Sequence, residues 1–221
     1  MQRNGSGALF LAVACLFAVP ARGAELSVDG YAGYQNGFGL RALGTVGNLL
    51  HNLPIGFDLG VGITWVSAGD PYLARAVFVN DATNGTPQTS ASVWDLRMDV
   101  IWFFHLSGTE QTGVFLGPRL SLYSGDFHYV GGNEDFTVTS NNWGVGAGVR
   151  GAIPLSKHWG LAVTAGLDWY PVITFYGHDT TYSSNGYSVN PKANYTFSSA
   201  YAAINQAFLV PSILVGVSWN Q

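Results

Sequence analysis

Trp159-Gly160-Leu161-Ala162-Val163-Thr164-Ala165-Gly166-Leu167-Asp168-Trp169 decides the fold. Trp159, Leu161, Val163, Ala165, Leu167 and Trp169 fall on one parity; Gly160, Ala162, Thr164, Gly166 and Asp168 fall on the other. Period-two alternation is the signature of a β-strand with two unlike faces. In a soluble sandwich the apolar face would point into a core. A face that carries Trp at both ends matches instead the two interfaces of a bilayer.

Five further stretches alternate in the same way. Ile55 to Trp65, Trp94 to Phe104, Val114 to Leu122, Trp143 to Ile153 and Ile213 to Trp219 each set an apolar parity against Gly, Ser, Thr or charge. A weaker pair, Leu26 to Gln35 and Phe38 to Val46, flanks Asn36-Gly37, the dipeptide that favours a tight type I′ hairpin. The total is eight strands of roughly ten residues, long enough to cross the hydrocarbon when tilted; ten strands is the alternative. The predicted fold is all-β, an antiparallel up-and-down transmembrane β-barrel. Only helices and closed barrels satisfy their backbone inside lipid.

Composition agrees. The 221 residues are 48% hydrophobic and 14% aromatic but only 10% charged, with 29 glycines. An ordinary soluble domain carries about 25% charge, so this chain lacks a normal water-facing surface. After the N-terminus no apolar run of about 18 residues remains to make a membrane helix.

The first 23 residues read as a secretory signal: Arg3, then the apolar Ala8 to Pro20, then small residues in Ala21-Arg22-Gly23. Residues 24–221 form the expected barrel. The one cysteine, Cys15, lies in the apolar run, where Ala12-Val13-Ala14-Cys15 fits a lipoprotein box poorly. The mature chain then has no thiol for disulfides or Cys-ligated metal. Without Arg3 and Arg22, seven basic residues face thirteen acidic ones, a net charge of −6 that argues against nucleic acid as a partner.

Connections set the orientation. Gly47 to Leu53, Ser107 to Gln111 and Leu155 to Lys157 are short and share one side; Ala68 to Ser92, Gly125 to Asn141 and Phe175 to Gln206 are long and share the other. Short periplasmic turns and long external loops are the rule for outer-membrane barrels. The tryptophans sort accordingly into an aromatic girdle: Trp65, Trp94, Trp143 and Trp169 at the loop end, Trp102, Trp159 and Trp219 at the turn end.

On alternation, girdles and loop asymmetry, the mature chain resembles the small eight-stranded outer-membrane barrels of Gram-negative bacteria, of the OmpA, OmpX and OmpW types. The resemblance is architectural. One departure is that Val217-x-Trp219 is followed by Asn220-Gln221, where such proteins usually end in an aromatic residue read by the assembly machinery. It implies export to the outer membrane, with membrane lipid, lipopolysaccharide and the barrel-assembly machinery as partners, and an extracellular ligand for the loops as a further expectation.

Parity places Asp29, Asp58, Asp95, Asp99 and Asp168 inside with Arg41, Arg97, Arg119 and Arg150. Buried charges need partners, so a near-balanced Asp/Arg lattice would both fill and block a narrow lumen. Asp99 and Arg119 are the preferred pair if the turn near Gly108 sets the register. Inward glycines such as Gly144, Gly146 and Gly148 leave slots for side chains of other strands; a Gly-lined binding cavity is the other reading.

Other candidates are weighed against plainer accounts. His105-Leu106-Ser107 with Glu110 is similar to the H-x-S pair of outer-membrane lipid A deacylases, but it sits at a periplasmic turn with His105 inward by parity, whereas that family's site faces lipid. It reads as a polar pair at girdle level. Asp126, His128, His178 and Asp179 lie on two external loops without metal-motif spacing and read as solvated loop residues. Ala76 to Val79 before Asn80 to Gly85 reads as a short strand and turn. Tyr182, Tyr187, Tyr195, Phe197 and Tyr201 make the last loop either an adaptable contact surface or a structured lobe. Pro118 and Pro211 each remove a ladder donor, so a bulge is expected at each. A lateral gap there would instead pass small apolar solutes. The leading expectation is a non-enzymatic barrel, without cofactor or metal, serving envelope structure or surface interaction; a narrow pore or lateral-gap transporter is the alternative, and a lipid A-modifying enzyme the more remote one.

Overall fold

A computed structural model describes residues 25–48, 53–79, 85–132 and 134–221. The signal-like segment, with Arg3, Cys15 and Arg22, lies outside the described residues, as do parts of the Gly47 to Leu53 and Asn80 to Gly85 turns.

Eight strands close a barrel: β1 (Glu25–Gln35), β2 (Phe38–Gly47), β3 (Ile55–Val66), β4 (Thr86–Phe103), β5 (Glu110–Val130), β6 (Phe136–Pro154), β7 (Trp159–Trp169) and β11 (Leu209–Asn220). Each of β1 to β6 pairs antiparallel with the next, β7 pairs with β11, and β11 returns to β1. No sheet edge is left open at membrane level, which is what closure achieves. Asn36 turns the β1–β2 hairpin with φ 57°, a left-handed backbone that Asn tolerates, but Tyr34 pairs with Phe38 and Gly37 is not left-handed, so three residues make the turn in place of the two-residue type I′ turn expected. None of the described helices is long and apolar enough to span a membrane.

The strands β4, β5 and β6 run to 18, 21 and 19 residues, not about ten. Most of the Gly125 to Asn141 segment and the end of the Ala68 to Ser92 segment, both expected as loops, are therefore ladder: Thr86 pairs with Val130, and Phe127 with Phe136. The apolar parity that marks the wall stops near Leu122 and Trp143, but backbone pairing does not.

Above the wall these extensions meet two helices and a small antiparallel sheet. Helix α1 (Pro71–Phe78) occupies the stretch expected as a strand at Ala76 to Val79. Asp70 caps it, accepting from the backbone N–H of Tyr72 and Leu73 at 2.9 and 3.1 Å, and Pro71 stands where a helix lacks its donor partners anyway. These start signals outweigh the β-branched Val77 and Val79. Helix α2 (Phe197–Ala203) and strands β8 (Thr174–Tyr176), β9 (Thr181–Ser183) and β10 (Ser188–Val189) come from the connection between β7 and β11. Together they enclose an apolar core of Val77, Phe78, Phe127, Tyr129, Phe136, Val138, Ile173, Phe175 and Tyr182. We call this lobe the cap.

The bulges expected at Pro118 and Pro211 do not form. Pro118 pairs in register with Val145 and Pro211 with Leu167, while the register shift of β5 against β6 falls between Glu110 and Gly113, where Gln111 has φ 49°. Each proline tolerates its place because the strand loses one donor without losing alignment.

Candidate functional site: the filled lumen and its cap

The inward side chains of the barrel below the cap form two charge clusters. Arg119 donates from Nη1 to Asp99 Oδ1 at 2.6 Å and from Nε to Asp168 Oδ1 at 2.8 Å. Arg97 holds the other oxygen of Asp168 at 3.2 Å and Asp95 at 2.7 Å. Asp95, Arg97, Asp168, Arg119 and Asp99 are thus one alternating chain of charge contributed by β4, β5 and β7. Arg150 makes a second cluster, 3.2 Å from Asp58 and 3.5 Å from Asp29, and the Tyr31 hydroxyl donates to Asp29 at 3.1 Å. All of these acids and bases are buried, Arg119 completely.

Arg41 is also buried, but it donates to the Gln35 side-chain oxygen, and Gln35 in turn donates to Asp95 at 3.4 Å. Gln35 was not among the sequence candidates, although it shares the inward parity of Asp29 and Tyr31. An amide carries no charge, so a search for charge alone passes over it. Asp99 and Arg119 do meet, but diagonally. Arg97 pairs with Arg119 and Val100 with Leu116, which sets Asp99 across from Gly117. The direct juxtaposition of two arginines is relieved by the shared carboxylate of Asp168.

Glycine makes room for this lattice at two places. A Cβ at Gly146 would overlap the Asp168 carboxylate and the Arg119 guanidinium, and one at Gly62 would overlap the Asp95 carboxylate. Along the outer wall the tryptophans point away from the barrel: Trp65, Trp94, Trp102, Trp143, Trp159, Trp169 and Trp219 are all exposed. Trp159 and Trp219 face each other at the turn end.

The cap closes the upper mouth. Gly69 bridges Ile204, and the Asp70 N–H donates to the Ala203 carbonyl at 2.9 Å, joining the segments before α1 and after α2. Lys192 Nζ donates to the carbonyls of Ala76, at 2.7 Å, and Val79 at the C-terminal end of α1, where a cation also suits the helix dipole. The Tyr123 hydroxyl donates to the Ala68 carbonyl at 3.0 Å, and that of Tyr129 to the Pro71 carbonyl at 2.6 Å. Loss of water contact pushes the Tyr129 hydroxyl up to about 12, so it remains a neutral donor.

The loop aromatics divide. Tyr182 is wholly buried against Phe78, and Tyr195, Phe197 and Tyr201 pack on the same core, whereas Tyr187 is exposed. The connection is a structured lobe that leaves Tyr176 and Tyr187 at its surface.

Neither small candidate cluster assembles a site. His105, Leu106 and Ser107 are exposed on the turn beyond the end of β4, so the inward placement of His105 fails. The parity rule ends where the ladder ends. His128 contacts Asp135 at 2.5 Å, and Asp126 accepts from Thr137; His178 lies 3.7 Å from Asp179 and 3.9 Å from Glu134. Among the described residues no three His, Cys, Asp or Glu side chains are grouped to hold a metal ion. Asp135 also accepts from the Tyr129 backbone N–H at 2.8 Å, and these two contacts hold its carboxyl below the usual range.

No family model and no curated protein sequence matches the chain. Among solved structures, the chain is similar to a major outer membrane protein from Thermus thermophilus. The match has a TM-score of 0.69 at 23% identity, covering 90% of this chain and 100% of that one. The fold is that of a bacterial outer-membrane barrel. Acinetobacter baumannii CarO also matches, with a TM-score of 0.43 at 14% identity, covering 89% of this chain and 97% of that one.

Proposed function

We propose that the protein is an exported, integral component of the bacterial outer membrane, with a barrel that conducts no solute and a folded cap displayed on the cell surface. One observation carries this reading: the lumen is occupied at mid-height by the Asp95–Arg97–Asp168–Arg119–Asp99 chain and covered above by the apolar cap. An eight-stranded barrel has room for its own side chains and little else. Here that room is taken by charges that hold one another. A buried guanidinium shared between carboxylates is expensive to separate, so the obstruction is a rigid one.

The role that follows is structural, serving envelope integrity and surface presentation, with lipid and lipopolysaccharide around the wall and the assembly machinery as its route in. The reading assigns no catalytic residue. It is tested by fractionation, gel mobility and planar-bilayer recording. An outer-membrane fraction, a mobility that changes on heating, and silent bilayers are expected. Recovery as a soluble periplasmic protein would overturn membrane residence; steady conductance would overturn the plugged lumen and favour transport.

A further inference from the structure

The outer wall is not uniformly convex. On β11 each outward side chain from Leu209 to Trp219 is exposed, Ile213 at 64%. On β3, Phe57, Leu59, Val61 and Ile63 point outward by the same parity yet are only half-exposed. Phe57, Leu59 and Val61 form the floor of an oblique groove of about 370 Å³ that runs from Val28 on β1 across β2 to β5 and ends at Trp143 on β6.

Two local causes produce it. The register aligns Val28, Gly44, Leu59 and Met98 across four strands, and Gly44 leaves a gap where its neighbours carry side chains. The inward face of β3 is also rich in glycine. At Gly60 an added Cβ would crowd the side chains of Leu43 and Arg97, so β3 lies close over the lumen contents and its outer face sits low.

We infer that this groove binds one acyl chain of a membrane lipid whose headgroup lies in the external leaflet. The inference rests on the membrane residence proposed above and adds a specific ligand to it. The side chains that line the groove from outside are hydrocarbon, apart from the Met98 sulfur and the Trp143 indole; behind them lie the buried Ser27 and Thr45 and the Arg97 and Arg119 guanidinium groups, which lumen carboxylates hold. Nothing in it recognises a charge. At roughly 30 Å³ for a group the size of a water or a methylene, the space holds about a dozen methylenes, a single chain.

Surrounding lipid is as apolar as leucine, so burial alone gives no preference. The preference comes from dispersion. A chain against a convex wall is touched on one side, whereas one in the groove is touched on its floor and both flanks, and an unfilled groove forfeits those contacts. A second copy of the barrel would present a convex wall that cannot enter the groove. The polar end of the lipid belongs at the Trp143 end, where Asn141 and Ser124 lie just above the groove on the outward parity.

The test is native mass spectrometry of the full mature chain, folded into vesicles of palmitoyl-oleoyl-phosphatidylglycerol and then extracted in mild detergent. One retained phospholipid per barrel is expected. Gly44→Leu fills the floor, and the added Cβ meets nothing closer than the Leu59 carbonyl oxygen at 3.9 Å, so the variant should fold while retention falls about tenfold. Val215→Leu on the opposite wall should retain the lipid. Equal retention in all three proteins, or a dimer that replaces the lipid, would overturn the inference. Failure of the wild type to insert, seen as no heat-dependent mobility, would instead overturn membrane residence itself.

Discussion

The barrel and the cap are built on opposite rules from the same strands. Along β5 the inward parity runs Phe115, Gly117, Arg119, Ser121, Tyr123, Gly125, Phe127, Tyr129, and the outward parity runs Val114, Leu116, Pro118, Leu120, Leu122, Ser124, Asp126, His128. From Val114 to Val130 the pleat does not slip. What changes is polarity: below Leu122 the inside is charged and the outside apolar, and above Tyr123 the inside is aromatic and the outside polar. On β6 the outward parity passes from Trp143 to Asn141, Thr139 and Thr137 while the inward one passes from Asn142 to Val138 and Phe136. One strand thus serves two solvents. The reversal marks where lipid should give way to water, since each face matches the medium it would meet.

If the two halves are separately stabilised, variants should damage one and spare the other. Arg119→Ala should have the largest effect, because it strands Asp99 and Asp168 in a buried setting, at a cost of about 3–5 kcal/mol. Urea unfolding of the membrane-inserted barrel would read this, and an unchanged midpoint would show that the lattice does not hold the barrel. Phe78→Ala opens a cavity in the cap core and should cost about 3 kcal/mol there. The cap should become a protease target while the gel mobility of the barrel stays the same; loss of both together would mean that the halves are one cooperative unit. Asp70→Ala removes the α1 cap and should loosen the same lobe by about 1 kcal/mol, seen as faster amide exchange in α1. The smallest effect is in acid. The folded-state pKa of Asp135 is depressed, so its support of the β5–β6 tip is present above the ordinary carboxylate range near about 4 and fades as pH falls through the lower, folded value. Exchange at the Tyr129 amide should accelerate there, and Asp135→Asn should abolish that dependence.

Legibility followed the same division. Parity in the sequence was enough to place all nine lumen charges and all seven tryptophans on a face, because in the membrane half the two faces differ sharply in polarity. The cap was harder to read. Its strand extensions keep the alternation, but with polarity reversed, so a search for apolar-outside strands stops at Leu122 and starts again at Trp143. Its helices are short, and their apolar residues pack against segments far away in sequence. Asp70-Pro71 marks the start of α1, but the β-branched Val77 and Val79 give the Ala76 to Val79 run the composition of a strand. Gln35 and Lys192 were missed for a related reason: each acts through a partner that only the closed structure brings near.

The cap's fastenings also bear on the order of assembly. Gly69 meets Ile204, and Lys192 reaches the end of α1, so the lobe is tied together by segments that precede and follow most of the barrel. Contacts of such long sequence separation form late, because the chain between them must first be brought to order. The cap core can be completed only once both long connections have reached the same side of the membrane. After that, drawing either connection back would mean dismantling a packed aromatic lobe. A barrel capped in this order would meet a barrier against withdrawal that the staves alone do not provide.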